Sequence, residues 1–275
     1  MKRLVLCEGP DDLNALRAIA QHLGWARPIP AALAPGAGQE RRVSLAAGAT
    51  QIDILVPSKT GGATGEGKSA LARMVADALR ILPPQVGPGD ESSVGLVGVV
   101  FDPDDATVAS FHAEVEKAVR THAGNWTLTD SGTAGVWSAR REAGELVEVR
   151  AVDWRAPGGV VDGLPDQMNL ERLLCAVLAA AYPYDLAPIE RWLAEISEAR
   201  KAAKRKPATW KAAIHVWLAA IYDKADDLNA ASRFLHQPPE CKPHIERILT
   251  ETGLLDDLRP LLGAHGEQAQ AGTST

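Results

Sequence analysis

Apolar positions follow two rhythms along this chain. In the first half, short apolar runs alternate with helical periods. Residues 4–7 (Leu-Val-Leu-Cys) are too few for a helix and predict a buried strand. After Gly9-Pro10, the residues Leu13, Leu16, Ala20 and Leu23 fall on one helical face, with Gly24 as the stop. Asp11 and Asp12 stand where an N-cap and first turn favour negative charge. A Pro/Ala/Gly loop over 28–42 precedes candidate strands at 43–47 and 52–56. A glycine-rich stretch, 61–67, leads into a helix over 69–82, and breakers cluster at 83–93. Residues 94–101 form the most apolar run and end abruptly at Asp102, the pattern of a central parallel strand buried on both faces. Residues 136–140 and 146–152, around Ala143-Gly144, predict a hairpin.

From Met168 onward the strand pattern vanishes. Ile189, Trp192, Leu193 and Ile196 repeat at helical spacing, as do Trp210, Ile214, Trp217, Leu218 and Ile221. At that spacing the tryptophans read as core. Pro207 and Pro238-Pro239 punctuate these helices, and the chain after Gly263 is polar. The expected architecture is an α/β domain over 1–165, with a mainly parallel sheet flanked by helices. An all-helical domain over 166–262 and a flexible tail over 263–275 follow it.

Composition narrows the class. An apolar fraction of 46% with 23% charged residues is that of a globular chain. Lys+Arg 29 against Asp+Glu 35 gives a net charge of −6, which excludes a histone-like coat for nucleic acid. It leaves room for a local basic strip or for a divalent cation held on carboxylates. Only Cys7, Cys175 and Cys241 occur, without a CxxC, so neither a disulfide framework nor a structural zinc site is expected. No run approaches the roughly 18 apolar residues of a membrane helix. Glu8 ends the first apolar run too early for a signal peptide. These features together predict a soluble cytoplasmic protein.

Two acidic features belong together. Glu8-Gly9-Pro10-Asp11-Asp12 ends the first strand, and Asp102-Pro103-Asp104 ends the most buried one. In an open parallel sheet, carboxyl strand ends line one crevice where ligands bind. Carboxylates gathered there repel one another unless a divalent cation removes the conflict, and oxygen-only donors select Mg²⁺ or Mn²⁺. Gly9 permits the tight turn that aims Glu8 into the crevice.

These segments resemble a TOPRIM domain, the module of type IA and II topoisomerases, primases and OLD-type nucleases, with a strand ending in Glu-Gly and a later one ending in D-x-D. The resemblance covers about residues 1–155. It implies a metal-dependent nuclease. Glu8 matches the family's glutamate, as metal ligand or general acid/base. Asp102 and Asp104 match the metal ligands, and Asp12 matches the aspartate that often follows Glu-Gly in the nuclease-like branch. Gly163 and Leu170-Glu171 resemble the C-terminal part of small bacterial TOPRIM proteins of unassigned function, and would make Glu171 a further metal ligand. A topoisomerase is disfavoured, because no tyrosine-bearing cleavage domain is evident after residue 165, and a primase, because there is no room for its zinc-binding and helicase-binding modules. The resemblance to OLD-type nucleases implies DNA or RNA as substrate, phage defence or nucleic-acid turnover as the setting, and a separate ATPase as partner.

A rival sits between the acidic motifs. Residues 62–69 satisfy G-x-x-x-x-G-K-[ST], with Gly62, Gly67, Lys68 and Ser69 at the defining positions of a phosphate-binding loop for ATP or GTP. Its strand ends at Val56, however, and leaves residues 57–61 in excess before the loop. The loop's backbone N–H groups and Lys68 could also hold a substrate phosphate beside a metal. A non-catalytic scaffold or regulator of TOPRIM shape is the third alternative. Lys201, Lys204, Arg205 and Lys206, with Lys211 a turn into the next helix, form a candidate nucleic-acid strip or a favourable helix terminus. The seven histidines are scattered without ligand spacing.

Overall fold

The computed structural model describes residues 2–29, 42–57, 68–82, 93–103, 107–142, 144–159, 161, 164–206, 208–221 and 239–264. By its contacts the chain divides into two units. Met1–Phe101, Ala106–Val152 and Asp256–Thr275 form the first, and Asp102–Asp105 with Asp153–Leu255 the second.

The first unit is built on one eight-stranded sheet. Its strands are β1 (Lys2–Cys7), β2 (Arg27–Pro28), β3 (Arg42–Ala47), β4 (Thr50–Leu55), β5 (Val94–Phe101), β6 (Trp126–Asp130), β7 (Val136–Arg141) and β8 (Leu146–Asp153). They lie in the order β2-β3-β4-β1-β5-β8-β7-β6. The parallel arrangement expected from the sequence holds at the centre, where β1 runs parallel to both β4 and β5. The flanks are antiparallel: β3 pairs with β2 and β4, and β7 pairs with β6 and β8. A tight turn explains one of these pairs. Two residues, Gly48-Ala49, join β3 to β4, and a connection that short can only reverse the chain.

Alternation along β5 assigns the two faces. Val97, Val99 and Phe101 pack in the core with Leu71, Val75 and Leu79 of α2 (Lys68–Ile81) and with Phe111, Val115 and Val119 of α3 (Val108–His122). The Phe101 and Phe111 rings stack at 4.7 Å. Gly98 points the other way, and Leu261 of the last described helix, α8 (Leu254–Leu262), fills the space its missing side chain leaves. Arg3 of β1, fully buried, donates to the Gly263 carbonyl just beyond that helix. Helix α1 (Pro10–His22) buries Leu13, Leu16 and Ile19. Asp53, 1% exposed at the centre of β4, accepts hydrogen bonds from Ser44 Oγ (2.6 Å), Arg42 (2.9 Å) and Gln51 (3.0 Å), and pairs with Lys2 Nζ at 2.7 Å. One carboxylate thus ties β1, β3 and β4 in register.

The pattern named no element between 102 and 135, where α3 and β6 lie. The last helix is the other difference. It was expected to belong with the helices before it, but the chain from Asp256 onward belongs with the sheet. The change of unit after Val152 also falls earlier than the expected boundary at 165.

Among the described residues, the elements of the second unit are helical. They are α4 (Leu170–Ala181), α5 (Pro183–Ala202), α6 (Trp210–Ile221), a short 3-10 turn at Pro239–Cys241, and α7 (Lys242–Glu251). Its core gathers Leu173, Leu174, Val177 and Leu178 of α4 with Leu193, Ile214, Trp217, Ile245 and Ile248. Gly253, at φ +73°, supplies the left-handed turn between α7 and α8.

Candidate metal centre

The exits of β1 and β5 carry the candidate chemistry. The two strands are parallel neighbours, with Cys7 registered beside Val100; Glu8 follows Cys7 directly, and Asp102 comes two residues after Val100. This is the carboxyl side of a parallel strand pair, where open α/β sheets bind ligands.

At the exit of β1 the chain enters α1 through Gly9, which is extended (φ −143°, ψ 172°), so the glycine-only tight turn expected there is not formed. Pro10 occupies the first helical position, where its missing N–H costs nothing. Asp12, 7% exposed, reaches back so that its Oδ2 accepts the Gly9 N–H at 2.9 Å. This is the reciprocal half of a capping box, and it gives Asp12 a defined structural role. Cys7 is fully buried, and its thiol is pushed well above its ordinary pKa by burial first, then by the negative charges of Asp12 and Glu8. The thiol therefore stays protonated, while the two carboxylates make this strand end electronegative.

Asp102 has a different neighbourhood. It is half-buried, and its Oδ1 accepts the backbone N–H of Leu170 at 3.0 Å. Leu170 opens α4, whose N-cap Asn169 accepts the Arg172 N–H at 2.8 Å. Two side chains, 67 residues apart in sequence (169 − 102), therefore satisfy the first orphan amides of one helix. Glu171, the next residue of α4, is half-buried and lies close enough to Cys175 to help burial raise that thiol. The fold thus brings Glu8 and Asp12 to one strand exit, and Asp102 and Glu171 to one helix start.

Carboxylate oxygens are the donors that a hard divalent cation takes. Glu8, Asp12 and Asp102 supply such oxygens, and the Cys7 thiol beside the first two is held protonated. Among the described residues no three His, Cys, Asp or Glu side chains form a group that would hold a metal ion. Asp104 lies outside the described residues, so the D-x-D pair is represented here by Asp102.

The other candidates are placed as follows. Gly62 and Gly67 of the phosphate-loop motif lie outside the described residues, as does Gly163. Lys68 and Ser69 open α2, where the Ser69 hydroxyl donates to Glu114 of α3 at 3.1 Å. The basic cluster wraps the end of α5. Lys204 adopts a left-handed conformation (φ 54°), the Arg205 N–H donates to the Arg200 carbonyl at 2.8 Å, and Arg200 Nε reaches the Lys206 carbonyl at 2.6 Å. Lys201, Lys204, Arg205, Lys206 and Lys211 are all exposed, with Lys201 at 3.8 Å from Glu198.

Sequence reasoning passed over Arg172. Its guanidinium is 4% exposed, donates to the Gly159 carbonyl (2.6 Å) and Asp166 (2.8 Å), and lies over the Trp210 ring at 5.3 Å. It forms part of the wall of a cavity of about 430 Å³ in the second unit, with Cys175, Ile189, Leu193, Trp210 and Trp217. Asn169 just before an apolar helical run was the one legible signal there.

No family model matches this chain, and no curated protein does. Among solved structures, a hypothetical protein from Pyrococcus horikoshii OT3 superposes with a TM-score of 0.64 at 17% identity, over 95% of this chain and 99% of that one. The two share a fold. A lactoylglutathione lyase from Agrobacterium tumefaciens also matches, at 19% identity over 55% of this chain and 92% of that one, with a TM-score of 0.17. No described helix is long and apolar enough to cross a membrane.

Proposed function

We propose that this chain is a TOPRIM-type nuclease that cleaves phosphodiester bonds of DNA or RNA with Mg²⁺ or Mn²⁺, acting in the cytoplasm in phage defence or nucleic-acid turnover. The observation that carries the reading is the pairing of β1 with β5: the two acidic motifs follow register-matched, parallel neighbouring strands. Asp102, with Asp104, is the ligand pair, and Glu8 either shares the cation or moves a proton at the attacking or leaving oxygen. A bound divalent cation supplies neutralisation of charge on the phosphoryl oxygens. Asp12 keeps Gly9 and the first turn of α1 in place, so that Glu8 leaves β1 in one direction. The exposed lysines at the end of α5 and Lys211 serve the nucleic-acid backbone, and a separate ATPase is the partner the resemblance suggests.

A second reading, a scaffold or regulator that retains the fold without cleavage, is favoured by one observation. Asp12 and Asp102 each accept a backbone N–H, the role of a helix cap. The nucleotide-loop reading is weakened by the engagement of the Ser69 hydroxyl with Glu114, where a phosphate loop needs it for a cation.

The deciding experiment compares Glu8→Ala, Lys68→Ala and the double variant Asp102→Asn/Asp104→Asn in Mn²⁺-supported cleavage of plasmid and single-stranded substrates. Glu8→Ala and the double variant should be inactive. Lys68→Ala should be impaired by roughly ten- to a hundredfold, the loss of one charge-assisted contact. Full cleavage by the double variant would falsify the mechanism. ATP binding at micromolar concentration that only Lys68→Ala destroys would favour the nucleotide loop.

A further inference from the structure

The two edges of the sheet are finished differently. At one, β2 is only two residues long, Arg27-Pro28, and its brevity and its proline are both devices that blunt an edge. At the other, β6 runs for five residues with no proline, lysine or register shift. Among the described residues it pairs with β7 alone. We infer that β6 is a docking strand for a second copy of this chain. The two β6 strands pair antiparallel about a twofold axis at Leu128 and join the two sheets edge to edge.

The bonds at the two ends of β6 fix which of its backbone groups are spent on β7. The Glu142 N–H donates to the Asn125 carbonyl at 3.1 Å, and the Ser131 N–H to the Val136 carbonyl at 3.2 Å. Bonded and non-bonded positions alternate along an antiparallel pair, so Thr127 and Thr129 bond β7, opposite Arg140 and Ser138. Trp126, Leu128 and Asp130 therefore turn their backbone groups outward. The Trp126 N–H is taken by the Ala123 carbonyl at 2.8 Å. The Trp126 carbonyl and both backbone groups of Leu128 and Asp130 remain on the open edge.

That set of groups complements itself. With Leu128 set against Leu128 of the second copy, each Leu128 N–H meets the other's carbonyl, and each Asp130 N–H meets the Trp126 carbonyl of the other copy. The whole of β6 is then paired, and a shift of register to either side pairs fewer residues. The non-bonded positions, where side chains approach most closely, set Thr127 against Thr129 of the second copy on both sides of the axis. Both threonines are exposed, so no core residue moves to make these pairs. Leu128, half-buried against the core, meets its own counterpart and gives up its remaining exposure. The two Asp130 carboxylates lie at opposite ends of the paired strands, so like charges do not meet.

The test is sedimentation equilibrium of the full chain, in which wild type should be a dimer. Thr127→Glu/Thr129→Glu sets like charges across both threonine pairs and should weaken the dimer about tenfold or more. Thr127→Glu/Thr129→Lys differs from it at one residue, sets opposite charges across both pairs, and should dimerise at least as well as wild type. Proline is tolerated on an edge strand where its missing N–H faces outward. Leu128→Pro thus removes the central donor, leaves the β7 bonds of Thr127 and Thr129, and should also weaken the dimer about tenfold or more. A monomeric wild type overturns the inference. So does a dimer that Thr127→Glu/Thr129→Glu leaves intact, or one that a folded Leu128→Pro leaves intact. Equal losses in the two charged variants overturn it as well, because only this register pairs Thr127 with Thr129. Should Leu128→Pro fail to fold, the charged variants, both at exposed positions, decide on their own.

Discussion

Gly98 of β5 and Leu261 of α8 meet with no room for a methyl group between them. A Cβ on Gly98 would lie 2.7 Å from Leu261 Cδ2 and 3.1 Å from Cδ1, and Leu261 is itself fully buried. The glycine in the most apolar strand of the chain is thus a seat for the last helix. Gly98→Ala should force Leu261 off its rotamer or lift α8, at about 1–3 kcal/mol. Urea unfolding of the variant measures this. A companion Leu261→Ala, which makes the room the new methyl needs, should recover part of the Gly98→Ala loss in a double-mutant cycle.

Asp53 makes the stability of the sheet acid-sensitive in a defined window. Burial alone would raise its pKa, but hydrogen bonds from Lys2, Ser44 and Gln51 and the charge of Lys2 outweigh burial and hold it below its ordinary 3.8. Since the folded value lies below the unfolded one, the stabilisation is fully present above pH 3.8 and fades as pH falls through the lower folded value. Asp53→Asn should lose about 3 kcal/mol near neutral pH, the low end for breaking a buried pair because Lys2 and Arg42 keep partial access to water. Its stability should also fall less steeply than wild type between pH 4 and pH 2, as read by unfolding midpoints.

Capping and chemistry separate at Asp12. Asp12→Ala removes the acceptor for the Gly9 N–H and should cost about 1 kcal/mol, whereas Asp12→Asn keeps a side-chain oxygen there and should cost only a few tenths. Thermal unfolding distinguishes the two. A cleavage assay on Asp12→Asn then reports on the carboxylate with the cap intact.

The three cysteines should be inert. Cys7 and Cys175 are raised by burial and by neighbouring carboxylates, and Cys241 is pushed up to about 11 by burial and then by Glu240. Only the thiolate is nucleophilic, so a chromogenic disulfide reagent at pH 8 should label none in the native protein and all three in denaturant.

Local pattern carried the elements whose signal is local. The run at 94–101 became β5 at those same bounds, and Gly9-Pro10 opened α1, because burial on both faces and a helix start each leave a short-range imprint. Strand β6 left little, since an edge strand with Thr127 and Thr129 exposed has a weak apolar rhythm. Helix α3 buries only Phe111, Val115 and Val119, a thin stripe that residue counting passed over. The acidic residues were legible as types at strand ends. Their partners were not, because the Leu170 amide that meets Asp102 is 68 positions away and belongs to a backbone group that every residue carries.

The return of the last helix sets the order in which the protein can be completed. Arg3 and Gly263 are bonded across 260 positions, so one face of the sheet keeps its buried guanidinium and its Gly98 seat uncovered until residue 263 has been synthesised. Between Val152 and Asp256 a ribosome adds 104 residues (256 − 152), which at about 5–20 residues per second takes roughly 5–20 s. During that interval an apolar strand surface faces the cellular medium. Production of this chain should therefore lean on chaperones in proportion to translation time rather than to the finished protein's stability.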